Sequence, residues 1–167
     1  MDNTEKVPRI AFITFPRSGN TFFRNFFENV TNIVDGQHLK NNDLSVISLQ
    51  LTGLKGGSIV DDRVWLVANH SPEMLPPCHE FDANRGITIV RNPLDVIVSC
   101  LHLFSTGTHT KSLKTDIFNE HPKAWMEFVR MIIKSWANFH RYWFKTAEEN
   151  KLPIHFIRFE DLASDPK

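Results

Sequence analysis

From residue 9 to residue 30 the sequence reads RIAFITFPRSGNTFFRNFFENV. The run RIAFITF is short, apolar and bounded by polar residues, which predicts a buried strand of a parallel sheet. After the turn PRSGNT, apolar side chains recur every three to four residues and predict a helix with one face packed on that sheet. These side chains are Phe22, Phe23, Phe26, Phe27 and Val30. The stretch therefore predicts a strand, a tight turn and a helix in direct succession.

Three more apolar runs predict strands, and they are RVWLVANH (residues 63–70), GITIVR (86–91) and PIHFIRF (153–159). A long helix with an apolar stripe is predicted over residues 122–150. Strands that alternate with helices predict right-handed crossovers, and therefore an α/β fold with a parallel sheet flanked by helices.

The clearest helix start in the sequence is NPLDVIVSCLHLF, residues 92–104. Asn92 can cap this helix, Pro93 suits its first position, and Asp95 places negative charge in its first turn. By contrast, residues 34–61 show no clear periodicity, and the polar stretch 105–121 predicts a surface loop.

Composition narrows the class of protein. The chain has 167 residues and zero formal net charge, which suits one domain over residues 1–167 and disfavours nucleic acid as a partner. Cys78 and Cys100 lack the spacing of a metal site, so no metal is expected. No run approaches the ~20 apolar residues of a membrane span, and no leader pattern is visible. We therefore expect a soluble protein in the cytoplasm.

The turn PRSGNT can hold an anion. A glycine-containing turn before a helix points backbone NH groups inward, where the helix dipole adds positive potential. Arg17 brings a planar, permanently charged fork, and Ser18, Asn20 and Thr21 bring short polar side chains. The alternative is a capped turn with a surface arginine.

Two other strand ends carry candidate residues. Arg91 precedes the helix of residues 92–104, and Ser99 lies on that helix, so the two can hold a second phosphate. The alternative is that Arg91 pairs with Asp95 or a carbonyl group while Ser99 bonds back into its own helix. His70 ends a strand and can take a proton at neutral pH, although a lone histidine is more often structural. Because carboxyl ends of parallel strands share one edge of a sheet, all three sites are expected to converge.

These motifs together resemble the sulfotransferase family, which uses 3'-phosphoadenosine 5'-phosphosulfate. FPRSGNTF is similar to the family's 5'-phosphosulfate loop, and RNPLDVIVSCLHLF is similar to its 3'-phosphate motif. VANHSP lies where many members have a KTH triplet with a catalytic histidine, and FIRFEDL is similar to the family's YEDL-like signature. The resemblance implies a P-loop-NTPase-like three-layer sandwich of the sulfotransferase type.

The resemblance also implies residue roles. His70 would be the general base and Arg17 would stabilise charge in the transition state, while the acceptor would be a small molecule or a carbohydrate. Oligomeric state is not implied. Donor-binding residues would be Arg17, Ser18, Gly19, Asn20 and Thr21 at the 5'-phosphosulfate, Phe22 on adenine, Arg91 and Ser99 at the 3'-phosphate, and Phe159 in the YEDL-like signature.

The chain departs from the family pattern at several positions. Arg17 replaces a lysine, Ala68 replaces the lysine of the KTH triplet, and Phe159 replaces a tyrosine. Family members also continue beyond the position of Lys167, so we expect the C-terminal part to be missing. The alternative function is therefore a catalytically weak nucleotide-binding or regulatory domain. A P-loop kinase is disfavoured because no GxxxxGK[ST] pattern occurs.

Overall fold

The computed structural model describes residues 9–37, 51, 53–56, 59–61, 63–72, 82–108, 111–114 and 116–164. Part of the unassigned stretch 34–61 and part of the predicted loop 105–121 therefore lie outside the described residues. Among the described helices, none combines the length and the apolar character that crossing a bilayer requires.

Five parallel strands form one sheet in the order β2-β3-β1-β4-β5. They are β1 (Ile10–Thr14), β2 (Gly36–Gln37), β3 (Leu66–Asn69), β4 (Arg85–Val90) and β5 (Ile154–Arg158). The predicted parallel sheet is confirmed, with its four predicted strands in place. The fifth strand, β2, lies in the stretch that sequence periodicity left unassigned, because two residues are too few to produce a pattern.

Five described helices connect or follow these strands. They are α1 (Asn20–Thr31), α2 (Pro93–Thr106), α3 (Ile117–Glu120), α4 (Pro122–Glu148) and α5 (Phe159–Ser164). Two details correct the sequence-based assignment: α3 lies inside the predicted loop, and Phe159 begins a helix and does not end a strand. Alternation of side chains along β1 supplies both faces of the sheet.

The helices cover the sheet on both sides, which confirms the three-layer arrangement. On one face Ala11, Ile13 and Phe15 pack with α2 and α4. On the other face Phe12 packs with α1 and α5, through Phe23 and Leu162 among others. Burying both faces explains why the strands are almost continuously apolar.

The packing of α1 differs from the prediction of five inward apolar residues. Phe23 is buried, whereas 46% of Phe22 and 67% of Val30 are exposed. The buried face of α1 includes Arg24 instead, whose guanidinium forms a buried ion pair with Asp35 and donates to Gln37 Oε1 at 3.0 Å. Since a buried charge must be paired, this network fixes β2 beside α1.

The start of α2 matches the prediction. Asn92 Oδ1 accepts a hydrogen bond from the Leu94 amide at 3.0 Å, Pro93 occupies the first turn, and Asp95 follows it. The backbone amide of Asn92 also donates to Glu160 Oε1 at 2.9 Å, which connects the start of α2 to α5. The cap thereby sets the position of Ser99, which lies two turns further along α2.

Candidate functional site

The three predicted sites follow three adjacent strands. In the sheet order, β1 lies between β3 and β4. His70 follows β3, the β1–α1 loop (residues 15–19) follows β1, and Arg91 follows β4. The expected convergence at the carboxyl edge of the sheet is therefore present in the structure, and hydrogen bonds join the sites.

The β1–α1 loop is a tight turn that requires glycine at its last position. The Ser18 amide donates to the Phe15 carbonyl at 3.1 Å, and the Phe23 amide donates to the Gly19 carbonyl at 3.0 Å as α1 begins. Gly19 has φ of 96°, a conformation that side chains disfavour. A Cβ atom there would lie 2.6 Å from the Phe159 ring, so the loop and α5 are in close contact.

The Arg17 side chain is hydrogen-bonded within the site, in contrast to the alternative interpretation of a surface arginine. Its Nε donates to Ser99 Oγ at 2.8 Å, which joins the loop to the middle of α2. Burial is the largest influence on the guanidinium and lowers its pKa, Cys100 opposes this effect, and the positive charge of Arg91 adds to it. The Ser99 hydroxyl thus accepts a hydrogen bond from Arg17, whereas the alternative interpretation had it bonded only to its own helix.

Arg91 packs directly against the same loop. Its Nη1 donates to the Arg17 carbonyl at 2.8 Å, so of the two alternative partners, Asp95 and a carbonyl group, this bond is to the carbonyl group. Its guanidinium carbon lies 4.5 Å from the centroid of the Phe159 ring, a cation–π geometry. Phe159 in turn meets the Phe22 ring edge to face at 6.4 Å. Two aromatic rings and one guanidinium therefore lie in contact in a row, from Phe22 on α1 through Phe159 to Arg91 after β4.

Two polar atoms in this region are buried without a hydrogen-bond partner among the described residues. They are the hydroxyl of Ser18, a residue with 0% exposure, and Nε of Arg91. An unsatisfied buried donor costs about 1–3 kcal/mol, so such atoms are rare unless a ligand, water or ion completes them. Both atoms are donors, and one belongs to a cation. The site is therefore suited to an anionic ligand.

His70 is held by Thr14, a residue that sequence reasoning missed. Nδ1 of His70 lies 2.7 Å from the Thr14 carbonyl oxygen and 3.3 Å from Thr14 Oγ1. Asn20 Nδ2 donates to the same Oγ1 at 2.9 Å. A hydroxyl residue that ends an otherwise apolar strand, directly before a polar turn, was the available sequence signal.

The remaining predicted residues lie at the rim. Thr21 is half-buried in the first turn of α1 beside the exposed Phe22.

Elsewhere, a surface cavity of about 600 Å³ runs along α4 between residues 136 and 149. None of the predicted site residues lines it. In the part of the chain that the structure describes, no three acidic, histidine or cysteine residues cluster as metal ligands do.

Comparisons with known proteins show the family of the chain. Residues 8–167 match the family described as "Sulfotransferase domain". The chain is 27% identical over 176 residues to sulfotransferase 1B1 of Canis lupus familiaris, covering 95% of this chain and 55% of that protein. It is 26% identical over 157 residues to WSCD family member CG9164 of Drosophila melanogaster, covering 92% of this chain and 45% of that protein. The chain therefore spans about half the length of these curated relatives.

A solved structure shares the fold. The crystal structure of mouse sulfotransferase SULT7A1 complexed with PAP matches with a TM-score of 0.55 at 20% identity. The match covers 96% of this chain and 54% of the mouse chain. At this identity the likeness concerns the arrangement of strands and helices.

Proposed function

Because the chain belongs to the sulfotransferase family, we propose that it transfers a sulfonate group from 3'-phosphoadenosine 5'-phosphosulfate to a hydroxyl or amine acceptor. One observation carries the proposal. Two arginines, Arg17 and Arg91, are joined through a backbone hydrogen bond beside a buried Ser18 hydroxyl that has no partner among the described residues. Two adjacent cations and unsatisfied donors favour a ligand with several negative charges.

The residues present fit the 5' end of such a nucleotide. Gly19 lets the backbone turn sharply at the amino end of α1, where amide groups and the helix dipole favour an anion. Ser18 Oγ and the Arg17 guanidinium supply side-chain donors, and Asn20 and Thr21 add polar groups on the first turn. The bound donor would supply an activated sulfonate, and these residues would orient it.

The residues around α2 and α5 fit the nucleoside end. Arg91 and Ser99 would hold the 3'-phosphate, with Arg91 Nε available as an additional donor in the described structure. Phe22, which is 46% exposed, offers an aromatic face for adenine. Phe159 would act here through its contact with Arg91, which keeps the guanidinium in place.

The acid–base step belongs to His70 in this proposal. Nδ1 carries a hydrogen that the Thr14 carbonyl accepts, so in the neutral ring Nε2 is the basic nitrogen. His70 would take the proton from the acceptor as its oxygen or nitrogen bonds to sulfur and the bond from sulfur to the phosphate oxygen breaks. Arg17 would stabilise the charge that develops on that oxygen.

For the acceptor and the cellular location of the protein we propose only a broad class. We place the acceptor among small molecules or carbohydrates and the protein in the cytoplasm, with no nucleic-acid partner. Family membership supports the acceptor class, and the zero formal net charge supports the absence of nucleic acid. A catalytically weak nucleotide-binding domain is the alternative outcome of the experiments below.

Calorimetry with PAP, the expected product, tests the donor site against adenosine 5'-phosphate, which lacks the 3'-phosphate. A charged hydrogen bond contributes about 1.5–3 kcal/mol, so we expect PAP to bind roughly ten- to a hundredfold more tightly. Arg91→Gln is expected to remove most of this preference while affinity for adenosine 5'-phosphate stays unchanged. Arg85→Gln, at the exposed amino end of β4, the strand that Arg91 follows, is the matched control.

The outcomes separate the possibilities. Absence of PAP binding by the wild-type chain would overturn the proposed donor site. Equal losses for both nucleotides in Arg91→Gln would assign Arg91 to holding the Arg17 carbonyl alone. Tight PAP binding without transfer of labelled sulfonate to any of a broad panel of hydroxyl and amine acceptors would favour the nucleotide-binding alternative.

A further inference from the structure

Thr14, the last residue of β1, contacts two parts of the site at once. Its side chain is fully buried. Its hydroxyl oxygen accepts a hydrogen bond from Asn20 at the start of α1 and lies 3.3 Å from His70 Nδ1, while its carbonyl oxygen lies 2.7 Å from that nitrogen. A single residue therefore bridges the loop side of the site and the histidine ring.

The carbonyl contact determines which ring nitrogen carries hydrogen. A carbonyl oxygen can only accept, so a separation of 2.7 Å requires a hydrogen on Nδ1. In the neutral ring the hydrogen is then absent from Nε2, which becomes the nitrogen that can accept a proton. The Thr14 hydroxyl adds a second acceptor beside Nδ1, and two acceptors restrict the ring more than one.

The identity of residue 14 points to the hydroxyl and not to packing. Valine has nearly the same shape as threonine, and a buried hydroxyl is unfavourable unless hydrogen bonds satisfy it. Thr14 Oγ1 is satisfied by Asn20 at 2.9 Å, and the same oxygen lies beside His70. The hydroxyl therefore has a role that a methyl group of the same size cannot perform.

We propose that Thr14 is a positioning residue that holds His70 in the tautomer with a basic Nε2 and links this ring to Asn20 beside the donor loop. The inference rests on the proposed function, since it takes His70 as the base and the β1–α1 loop as part of the donor site. Binding of the donor near Asn20 would then be transmitted to the orientation of His70 through the Thr14 hydroxyl.

Nitrogen-15 NMR of the histidine side chains tests this in the chain as it exists, without and with PAP. In the wild type we expect His70 to show widely separated Nδ1 and Nε2 resonances, as a single neutral tautomer does, and a shift of these resonances when PAP binds. Thr14→Val keeps the carbonyl acceptor and loses only the hydroxyl, so we expect the two resonances to stay widely separated and the response to PAP to be lost. Thr14→Ser, which keeps the hydroxyl, is expected to behave like the wild type.

A response to PAP in Thr14→Val as large as that of the wild type would overturn the proposed link through the hydroxyl. If circular dichroism shows that Thr14→Val does not fold, Asn20→Ala tests the same link at Asn20. With PAP bound to saturation, as calorimetry verifies, we expect Asn20→Ala to keep the His70 tautomer and lose the response to PAP, and an unchanged response would overturn the link.

Failure of the proposed function has a different signature. A wild-type chain with the expected His70 tautomer and no response to PAP would contradict the donor site, while the tautomer assignment would stand. A wild-type chain that binds PAP with His70 in the opposite tautomer would contradict the role of Thr14, while the donor site would stand.

Discussion

Arg17 donates its Nε hydrogen to the Ser99 hydroxyl at 2.8 Å, although 82 positions in the sequence separate the two residues. The bond joins the loop after β1 to the middle of α2. Arg91 also donates to the Arg17 carbonyl, so both the side chain and the backbone of Arg17 hold the loop in place. The two motifs that the sequence predicts to bind anions are therefore connected in the structure.

Ser99→Ala is expected to weaken PAP binding. The substitution removes the acceptor of a partly buried guanidinium, and a net loss of about 0.5–1.5 kcal/mol corresponds to roughly a two- to tenfold lower affinity. Calorimetry measures the effect. Ser164→Ala is the control, because the exposed Ser164 hydroxyl bonds the Asp161 carbonyl on α5. Unchanged affinity in Ser99→Ala would show that the Arg17 contact does not contribute to the donor site.

Gly19→Ala is expected to destabilise the fold more than Gly107→Ala. Both glycines have positive φ, 96° and 64°, so each alanine incurs a backbone cost of about 1–2 kcal/mol. At Gly19 the new Cβ would collide, 2.6 Å from the Phe159 ring, whereas among the described residues, chain neighbours aside, no atom lies within 4 Å of the Cβ position at Gly107. Urea denaturation measures both losses.

The difference between the two glycine variants reports the contact between the loop and α5. Overpacking typically adds about 1–3 kcal/mol. Phe159→Leu combined with Gly19→Ala is expected to recover part of this difference. Equal destabilisation by the two single substitutions would mean that the Phe159 ring moves aside without cost.

We expect the wild type to lose stability in mild acid because of His140, and we expect His140→Leu to avoid this loss. Burial lowers the pKa of His140, although its hydrogen bond to the Trp136 carbonyl opposes this shift. The unfolded state then binds the proton first, so the stability from the neutral ring is present above pH 6.5 and is lost as the pH falls below it. Among the described residues, no partner satisfies His140 Nε2.

Unfolding free energies between pH 5 and pH 8 test this expectation. The wild type is expected to lose stability toward pH 5, and His140→Leu is expected to show a flatter profile. His155→Leu, at an exposed position on β5, is the matched control. An identical slope for the wild type and His140→Leu would assign the acid sensitivity to other groups.

His70→Ala is expected to abolish sulfonate transfer while PAP affinity stays within about twofold of the wild type. Loss of a general base typically lowers the rate about 10²- to 10⁴-fold and does not remove donor contacts. A transfer assay with labelled donor and calorimetry measure the two quantities on the same preparation. His155→Ala controls for the loss of an imidazole. If PAP affinity falls together with turnover, His70 has a structural role.

Local patterns explain why so much of the fold was predictable. The apolar runs of β1, β3, β4 and β5 and the cap of α2 are encoded by neighbouring residues, and the structure confirms them. Two features escaped because neighbours do not encode them. β2 has only two residues, and the inward face of α1 includes Arg24, whose burial depends on Asp35 from a segment without periodicity.

The sequence by itself determined the α/β class, the location of the two motifs predicted to bind anions and the position of His70, because strand and helix periods and turn residues act over short distances. Only the tertiary structure decided that Arg17 bonds Ser99, that Arg91 rests on Phe159, and that His70 Nδ1 lies against the Thr14 carbonyl. These contacts arise because the sheet places β1 between β3 and β4. Strand order depends on how helices pack across the whole sheet, and no local pattern specifies it.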